Sequence, residues 1–122
     1  MRAIRFSKGL LPAILILGGG AFHSAQAQSF DCGKVESDLE SAICNTPELT
    51  RMDIKAAILY RTLETAAETA PDFKKELQEQ QRVWLHSRRE DCGGNVECLE
   101  KLYKARVAAL QELADKKLQV RQ

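Results

Sequence analysis

Histidine is scarce in this sequence, and its scarcity limits the chemistry that the chain can support. The 122 residues include two histidines, His23 and His86. There is also no glycine-rich phosphate loop and no serine elbow. A hydrolase needs a nucleophile with a nearby base, or an arrangement of carboxylates. We therefore expect a protein that is not an enzyme and holds no cofactor; a deep cleft joining His86 to two carboxylates would reverse this expectation.

Long apolar runs are missing as well. The stretch "LLPAILILGGGAF" near the N-terminus is shorter than the about 20 residues that a membrane-spanning helix needs. It follows three basic residues and precedes "AQA" at positions 25–27, the small-x-small form that signal peptidase accepts. We predict a cleaved secretory signal over residues 1–27 and a single mature domain over residues 28–122, in the periplasm or secreted. A retained anchor is the alternative, but no cysteine stands at the cleavage point for lipid attachment.

Neither sign of charge is in clear excess. Three of the 18 basic residues leave with the signal, so 15 remain against 17 acidic residues, a net charge of −2. Positive and negative side chains alternate closely, as they do on solvated helix faces. This balance predicts no nucleic-acid partner.

The mature domain contains four cysteines, an even number. All four cysteines follow the predicted signal: Cys32, Cys44, Cys92 and Cys98. An even number in a small exported domain normally means disulfides. Four cysteines allow three connectivities. We favour Cys32 with Cys44 and Cys92 with Cys98, because the "GGN" at 93–95 can turn the chain back sharply.

Zinc and redox chemistry are the alternatives for these cysteines. Structural zinc sites usually separate paired ligands by two to four residues, whereas eleven residues separate the first two cysteines here and five the last two. A thioredoxin-like Cys-x-x-Cys is absent. Three acidic residues around the last pair would raise a thiol pKa. We expect neither a metal site nor a reactive thiol.

The apolar residues recur with helical periods. A capping box at Ser37 and Glu40 predicts a short helix that ends near Cys44. Three apolar stripes then predict three longer helices. The first covers about 47–69, the second runs from Pro71 to about 89, and the third runs from after the glycine pair to about 119. These stripes are Leu49, Met52, Ala56, Leu59, Leu63 and Ala66; Phe73, Leu77, Gln80 and Trp84; and Leu99, Tyr103, Arg106, Leu110 and Leu113. No strand-like alternation is present, so the predicted fold is an all-α, disulfide-stapled bundle of one short and three longer helices.

The order of several short motifs resembles one family. "FDC" and "ESAIC" are followed by "PELTRMD", Tyr60, "QRVWLHSR", a cysteine pair, "CLEKLY" and Arg106. This order is similar to that of the lysozyme inhibitor LprI-type N-terminal domain, and the resemblance covers Phe30 to Leu113. It implies a small helical, disulfide-bonded, exported domain whose partner is a protein, lysozyme in the case of the member that gave the family its name.

The residues that carry the resemblance also have a physical interpretation. The aromatic side chains Tyr60, Trp84 and Tyr103 lie on or beside the apolar stripes and are predicted to pack in the core. Two arginines, Arg88 and Arg106, extend the same stripes with a charge that must be paired or reach solvent. Glu40 and Asp53 occupy the acidic positions of the matching motifs, and we expect them to form inter-helix ion pairs with these arginines.

The turn between the last two cysteines is the candidate binding element. A peptidoglycan-cleaving enzyme works through two carboxylates in a cleft, and a rigid loop with hydrogen-bond donors could block that cleft. The candidate binding residues are Arg88, Arg89, Asp91, Gly93, Gly94 and Asn95. The alternative is an envelope structural or interaction protein that binds an unknown protein through its helical faces. The sequence leaves the oligomeric state open.

Overall fold

The computed structural model of the protein describes residues 29–119, and these form four α-helices with no β-strand among them. The helices are α1, Asp38–Asn45; α2, Pro47–Ala66; α3, Pro71–Ser87; and α4, Val96–Lys117. The predicted signal, residues 1–27, lies outside the described residues. One short and three longer helices were expected from the sequence, and this prediction is confirmed.

Local signals in the sequence set where the first three helices begin. The Oγ of Ser37 accepts a hydrogen bond from the backbone N–H of Glu40 at 3.2 Å, and the Glu40 carboxylate accepts one from the backbone N–H of Glu36 at 2.6 Å. One exposed donor in the first turn of α1 and one just before the helix are thereby satisfied. Helices α2 and α3 each begin with a proline, Pro47 and Pro71. Proline suits this position because its missing N–H would have had no partner in the helix.

The ends of the helices differ from the sequence prediction. Helix α2 ends at Ala66 and is followed by a 3₁₀ turn, Ala67–Thr69, while α3 ends at Ser87 and continues as a π-helical turn, Arg88–Cys92. A third short turn is the 3₁₀ turn Cys32–Lys34, which lies between the predicted signal and α1. 3₁₀ turns are frequent at helix ends, whereas a π-helical turn such as Arg88–Cys92 is rare.

Two inward-facing positions differ from the sequence prediction by one residue. Ala67 is buried where Ala66 was expected, and it lies a helical i, i+4 step after the buried Leu63. In α3 the inward-facing amide is Gln81 rather than Gln80, which is exposed. The spacing from Leu77 to Gln81 is a helical i, i+4 step, so either glutamine fits the period.

The core is a single cluster formed mainly by leucines. Helices α2 and α4 form the main packing pair, α1 packs on α2, and α3 makes few contacts with α2. The largest side chains with less than 2% exposure are Tyr103, Ile43, Leu49, Leu63, Leu77, Leu99, Leu110 and the charged Asp53. Burying each leucine contributes about 1.5–3 kcal/mol, so this cluster supplies most of the favourable free energy of folding. Within residues 29–119, no helix is long and apolar enough to cross a membrane.

Two disulfides fasten the ends of the bundle. Cys32 is bonded to Cys44 with the Cα atoms 5.7 Å apart, and Cys92 is bonded to Cys98 with the Cα atoms 5.3 Å apart. The first joins the entry turn to α1, and the second closes the connection from α3 to α4. This is the connectivity that the sequence analysis favours, and no cysteine is left as a free thiol.

Candidate functional site

The connection between α3 and α4 is a compact, disulfide-closed turn of residues 88–98, called here the disulfide turn. It begins with the π-helical turn Arg88–Cys92 and continues through Gly93, whose φ of +52° suits glycine. The Oδ1 of Asn95 then accepts a hydrogen bond from the backbone N–H of Cys98 at 2.9 Å and caps α4. The Asn95 side chain therefore fixes the end of the turn to the start of α4.

Gly94 holds the disulfide turn against α1. A Cβ atom placed on Gly94 would lie 3.1 Å from the Cβ and 3.2 Å from the carbonyl oxygen of Asp38. The close approach involves the backbone of α1, which cannot move without disturbing the helix. A larger residue at this position would therefore require the turn and α1 to move apart by a few tenths of an ångström.

Arg88 lies at the base of the disulfide turn and is buried in a polar network. Its Nη1 donates to the hydroxyl of Tyr103 at 2.7 Å and to the Oγ of Ser29 at 3.1 Å, and lies 3.4 Å from Oδ1 of Asp53. The Arg88 side chain is 11% exposed and that of Asp53 is 2% exposed. The expected ion pair between Arg88 and Asp53 is therefore present, and it removes Arg88 from the surface where the sequence analysis had also placed it as a binding residue.

The Asp53 carboxylate is the centre of this network. It accepts from the backbone N–H of Ser29 at 3.0 Å, from the Ser29 hydroxyl at 2.8 Å and from the Tyr103 hydroxyl at 2.7 Å, in addition to Arg88. Such complete pairing offsets the cost of burying a charge. The network ties the start of the described chain to α2, α4 and the disulfide turn.

Arg106 and Glu40 do not pair as the sequence analysis expected. Arg106 is 7% exposed and donates to Oε1 of Gln81 at 2.7 Å. No carboxylate forms a salt bridge with it among the described residues. Glu40 is occupied by the N-terminal cap of α1. The expectation was wrong for two reasons. The Glu40 carboxylate is already bonded to the backbone at the start of its own helix. The side-chain amide of Gln81, on α3, lies close enough to accept a hydrogen bond from Arg106.

The three aromatic residues of the resemblance pack around these arginines. Trp84 and Tyr103 meet edge to face with their ring centroids 5.0 Å apart. The guanidinium carbons of Arg88 and Arg106 lie 5.3 Å and 5.8 Å from the Trp84 ring centroid, within the range of a cation–π contact. Tyr103 is fully buried, whereas Trp84 and Tyr60 are half-buried. All three belong to the core or pack against it.

Burial shifts the pKa of several groups at this site. Desolvation raises the pKa of Tyr60 to about 12, and its hydrogen bond to Glu64 adds to the effect. Desolvation likewise raises the pKa of Tyr103, and it lowers the pKa of Arg106. The two hydroxyls therefore stay protonated at neutral pH and act as hydrogen-bond donors to Glu64 and Asp53.

The outer part of the disulfide turn is exposed. Arg89 and Glu90 form an ion pair at 2.9 Å with side chains that are 64% and 54% exposed, and the hydrogen bond from Arg89 lowers the pKa of the Glu90 carboxyl. Asp91 is also exposed, and Val96 keeps 38% of its surface exposed at the start of α4. The outer face of the turn thus presents charged groups of both signs beside one apolar side chain.

Two residues of the site escaped the sequence analysis. Ser29 carries no sequence signal for its role, because its partners lie 24 and 59 residues away. Gln81 could have been found from the i, i+4 spacing after Leu77, which the sequence analysis assigned to Gln80. Within residues 29–119, no group of three histidine, cysteine or acidic side chains could hold a metal ion.

A family model described as "Lysozyme inhibitor LprI" matches residues 31–119. The chain belongs to the LprI family. The match spans all four helices and both disulfides, so it agrees with the resemblance seen in the motif order. Neither the curated proteins nor the solved structures gave a match to this chain. Family membership establishes the relation to lysozyme inhibitors, and the disulfide turn and the buried polar network are the features of this chain that a function must explain.

Proposed function

We propose that the protein is an exported binding protein of the periplasm or extracellular space that inhibits lysozyme or a related peptidoglycan hydrolase. The match of residues 31–119 to the LprI family carries this proposal. A signal over residues 1–27 and a mature domain over residues 28–122 supply the export, and two disulfides suit an oxidising compartment. The protein acts by binding and contributes no catalytic group.

The contact surface in this proposal is the outer face of the disulfide turn. Arg89 is exposed, and its surface ion pair with Glu90 is worth little in water. Its guanidinium can therefore exchange Glu90 for a carboxylate in the cleft of a hydrolase. Asp91 and Val96 lie on the same turn and provide an acceptor and an apolar contact. Gly93 and Gly94 permit the sharp turn, and the Cys92–Cys98 disulfide and the Asn95 cap keep it rigid, which lowers the entropic cost of binding.

Titration of lysozyme with the purified exported protein tests the inhibition itself. We expect lysis of a cell-wall suspension to fall as the protein is added and to reach a plateau at a defined molar ratio. Undiminished lysis at a large molar excess would rule out lysozyme as the target.

Substitution of the exposed turn tests the contact surface. We expect Arg89→Ala combined with Asp91→Ala to weaken inhibition by about tenfold or more, the effect of losing one charge-assisted contact. Arg82→Ala is the matched control, since Arg82 is equally exposed and is paired with Glu79 on α3. Equal inhibition by both variants would place the contact surface elsewhere.

An envelope interaction protein that binds a different protein is the second candidate. The observation that favours it is a small apolar groove on the outer side of α2, formed by Ile54, Ile58 and Leu59 between Arg51 and Lys55. Ile58 is 50% exposed and lines the groove together with Ile54 and Leu59, so the apolar surface here is a patch and not a single scattered side chain. Recovery of a non-lysozyme protein from an envelope extract, lost with Ile58→Ser, would support this candidate.

A further inference from the structure

A shallow groove of about 400 Å³ lies on the solvent side of α2, and the proposed inhibition does not use it. Its lining residues are Arg51, Ile54, Lys55, Ile58 and Leu59, and it is called here the α2 groove. Arg51, Lys55 and Leu59 form one i, i+4 row along the helix, and Ile54 and Ile58 form the neighbouring row. The trough between two such rows is the feature into which a second helix packs a ridge of its own side chains.

The two isoleucines of the α2 groove are explained neither by the core nor by the helix itself. Ile54 and Ile58 do not belong to the buried residues of α2, which are Leu49, Met52, Asp53, Ala56 and Leu63. At an exposed helix position isoleucine is a poorer helix former than lysine or glutamate. Ile58 nevertheless keeps 50% of its surface exposed. The packing of the core therefore does not account for this apolar row.

The exposed charges beside the α2 groove all have one sign. Within residues 49–63, the exposed charged residues are Arg51, Lys55 and Arg61, whereas the one acid in this stretch, Asp53, is buried in the polar network. The exposed faces of α3 and α4 carry charges of both signs instead. The solvent side of α2 is therefore an apolar row flanked by positive charge.

The exposed acid that precedes this stretch, Glu48, is already neutralised. Its carboxylate pairs with Arg51 at 2.7 Å. The hydrogen bond from Arg51 lowers the pKa of this carboxyl, and the charge of Lys104 on α4 adds to the effect. Lys55 forms no salt bridge within residues 29–119. The ammonium group of Lys55 can therefore take a carboxylate from a partner.

Charge and shape together select the occupant of the α2 groove. A second copy of the chain would bring the same cations together across a shared α2 surface, and like charges repel. A lipid bilayer offers no ridge, and binding to it needs a large apolar face, whereas the apolar row here holds two isoleucines. An acidic amphipathic helix supplies both an apolar ridge for the groove and carboxylates for its rim.

We propose that the α2 groove docks an acidic amphipathic helix of a partner protein. Apolar side chains spaced i, i+3, i+4 and i+7 on that helix pack against the two isoleucines. Carboxylates beside this row pair with Lys55 and with Arg51, whose exposed ion pair with Glu48 is weak enough to exchange. The proposal rests on the second candidate function, for which it names the chemistry of the partner, and it is independent of lysozyme inhibition.

Two synthetic peptides that differ in charge alone test the proposal on the protein recovered after export of the full chain. Each is an acetylated and amidated helix former of about 18 residues with leucines spaced i, i+3, i+4 and i+7. One peptide carries glutamate at the positions that flank the leucine row, and the other carries lysine there. The backbone amide NMR signals of the protein measure the affinity and locate the binding surface.

We expect the glutamate peptide to shift the signals of residues 51–62 in a saturable way. The lysine peptide should bind at least about tenfold more weakly, as the loss of one charge-assisted contact implies. Added salt should weaken the binding, because exposed charges are screened. Binding of neither peptide, equal binding of both, or shifts confined to another part of the protein would overturn the proposal.

Variants of the α2 groove with matched controls separate docking from nonspecific adhesion. Ile58→Ser and Lys55→Glu are each expected to weaken the binding of the glutamate peptide by about tenfold or more. Val83→Ser and Lys75→Glu are the controls on α3, since Val83 is also 50% exposed and Lys75 is exposed. All four positions lie at the surface, so unchanged thermal melting verifies the fold. Equal losses in the controls would refute the assignment.

The other occupants are tested with the same NMR signals. A shift of residues 51–62 by phosphatidylglycerol vesicles, with no response to the glutamate peptide, would assign the α2 groove to a lipid surface. A shift of these signals with rising protein concentration alone would assign it to a second copy. Capture of an envelope protein that depends on Ile58, with neither peptide bound, would retain the second candidate function but refute the acidic helix.

Discussion

Asp53 is the residue on which the buried polar network depends. It is 1% exposed and accepts hydrogen bonds from three other residues. Its carboxylate balances the charge of Arg88, so the two must be considered together. Removal of either charge leaves the other buried without compensation, which is more costly than the absence of both.

Asp53→Asn is therefore expected to lower the free energy of unfolding by about 3 kcal/mol, the cost of an uncompensated buried charge. Urea unfolding followed by circular dichroism measures the change. Glu48→Gln is the control, because Glu48 forms an exposed ion pair with Arg51 on the same helix, and its loss should leave the midpoint unchanged. Comparable midpoints for the two variants would show that the network is not stabilising.

The two tyrosine hydroxyls predict how stability depends on alkaline pH. In the folded protein the pKa of Tyr60 is raised to about 12 from an ordinary 10.0, and the pKa of Tyr103 is raised as well. Above pH 10 the unfolded chain loses these protons while the folded protein keeps them. Stability is therefore full below pH 10 and falls as the pH rises through the folded pKa values.

Thermal melts between pH 9 and pH 11 would measure this loss. Tyr103→Phe keeps the ring but removes one of the two titrating hydroxyls, so its melting temperature should fall less steeply with pH than that of the unmodified protein. At neutral pH the same variant should be less stable by about 1–2 kcal/mol, because Asp53 loses a buried donor. If the melting temperature falls equally steeply with pH in both proteins, Tyr103 does not contribute to the loss of stability at alkaline pH.

At the scale of secondary-structure elements, the disulfide turn and α1 are joined through a glycine. Gly94 approaches the backbone of Asp38 so closely that any side chain would push the two elements apart. The contact lets the capped start of α1 support the turn. The rigidity of the turn thus depends on α1 as well as on the Cys92–Cys98 disulfide.

Gly94→Ala is expected to destabilise the fold by about 1–3 kcal/mol, the usual cost of overpacking, and to shift the backbone NMR signals of α1. Gly33→Ala is the matched control, since its nearest contact is a side-chain carboxylate, that of Asp31, and not the backbone of another helix. Thermal melting compares the two variants. If Gly94→Ala melts like Gly33→Ala, α1 does not support the turn.

At the scale of the whole molecule, the first disulfide and the polar network join the start of the domain to its helical body. Cys32–Cys44 and the hydrogen bonds of Ser29 fasten the residues that follow the predicted signal. A domain of this size gains much of its stability from such cross-links, because its core is small. The N-terminal segment is therefore part of the folded unit.

We expect the exported protein to begin at Gln28 and to contain no thiol that can be alkylated without prior reduction. Intact-mass analysis of purified material, before and after treatment with iodoacetamide, measures both properties. A mass that retains residues 1–27 would refute the predicted cleavage, and alkylation of the native protein would refute the disulfides.

The sequence alone determined the features that depend on neighbours along the chain. Helix starts follow from Ser37, Pro47 and Pro71, the helical class follows from the apolar stripes, and the turn at 93–95 favours the pairing of Cys92 with Cys98. Each of these rests on interactions within a few residues, where spacing and residue type suffice. The motif order also pointed to the family.

Only the tertiary structure decided where the charges are placed. Asp53 and Arg88 are 35 residues apart and Ser29 and Arg88 are 59 apart, so no local pattern could show that they share one network. Arg106 pairs with Gln81 instead of an acid because the packing of α3 brings an amide within reach. Burial and partner choice depend on how the helices pack, and that packing also makes Arg88 a buried anchor and leaves Arg89 exposed at the surface.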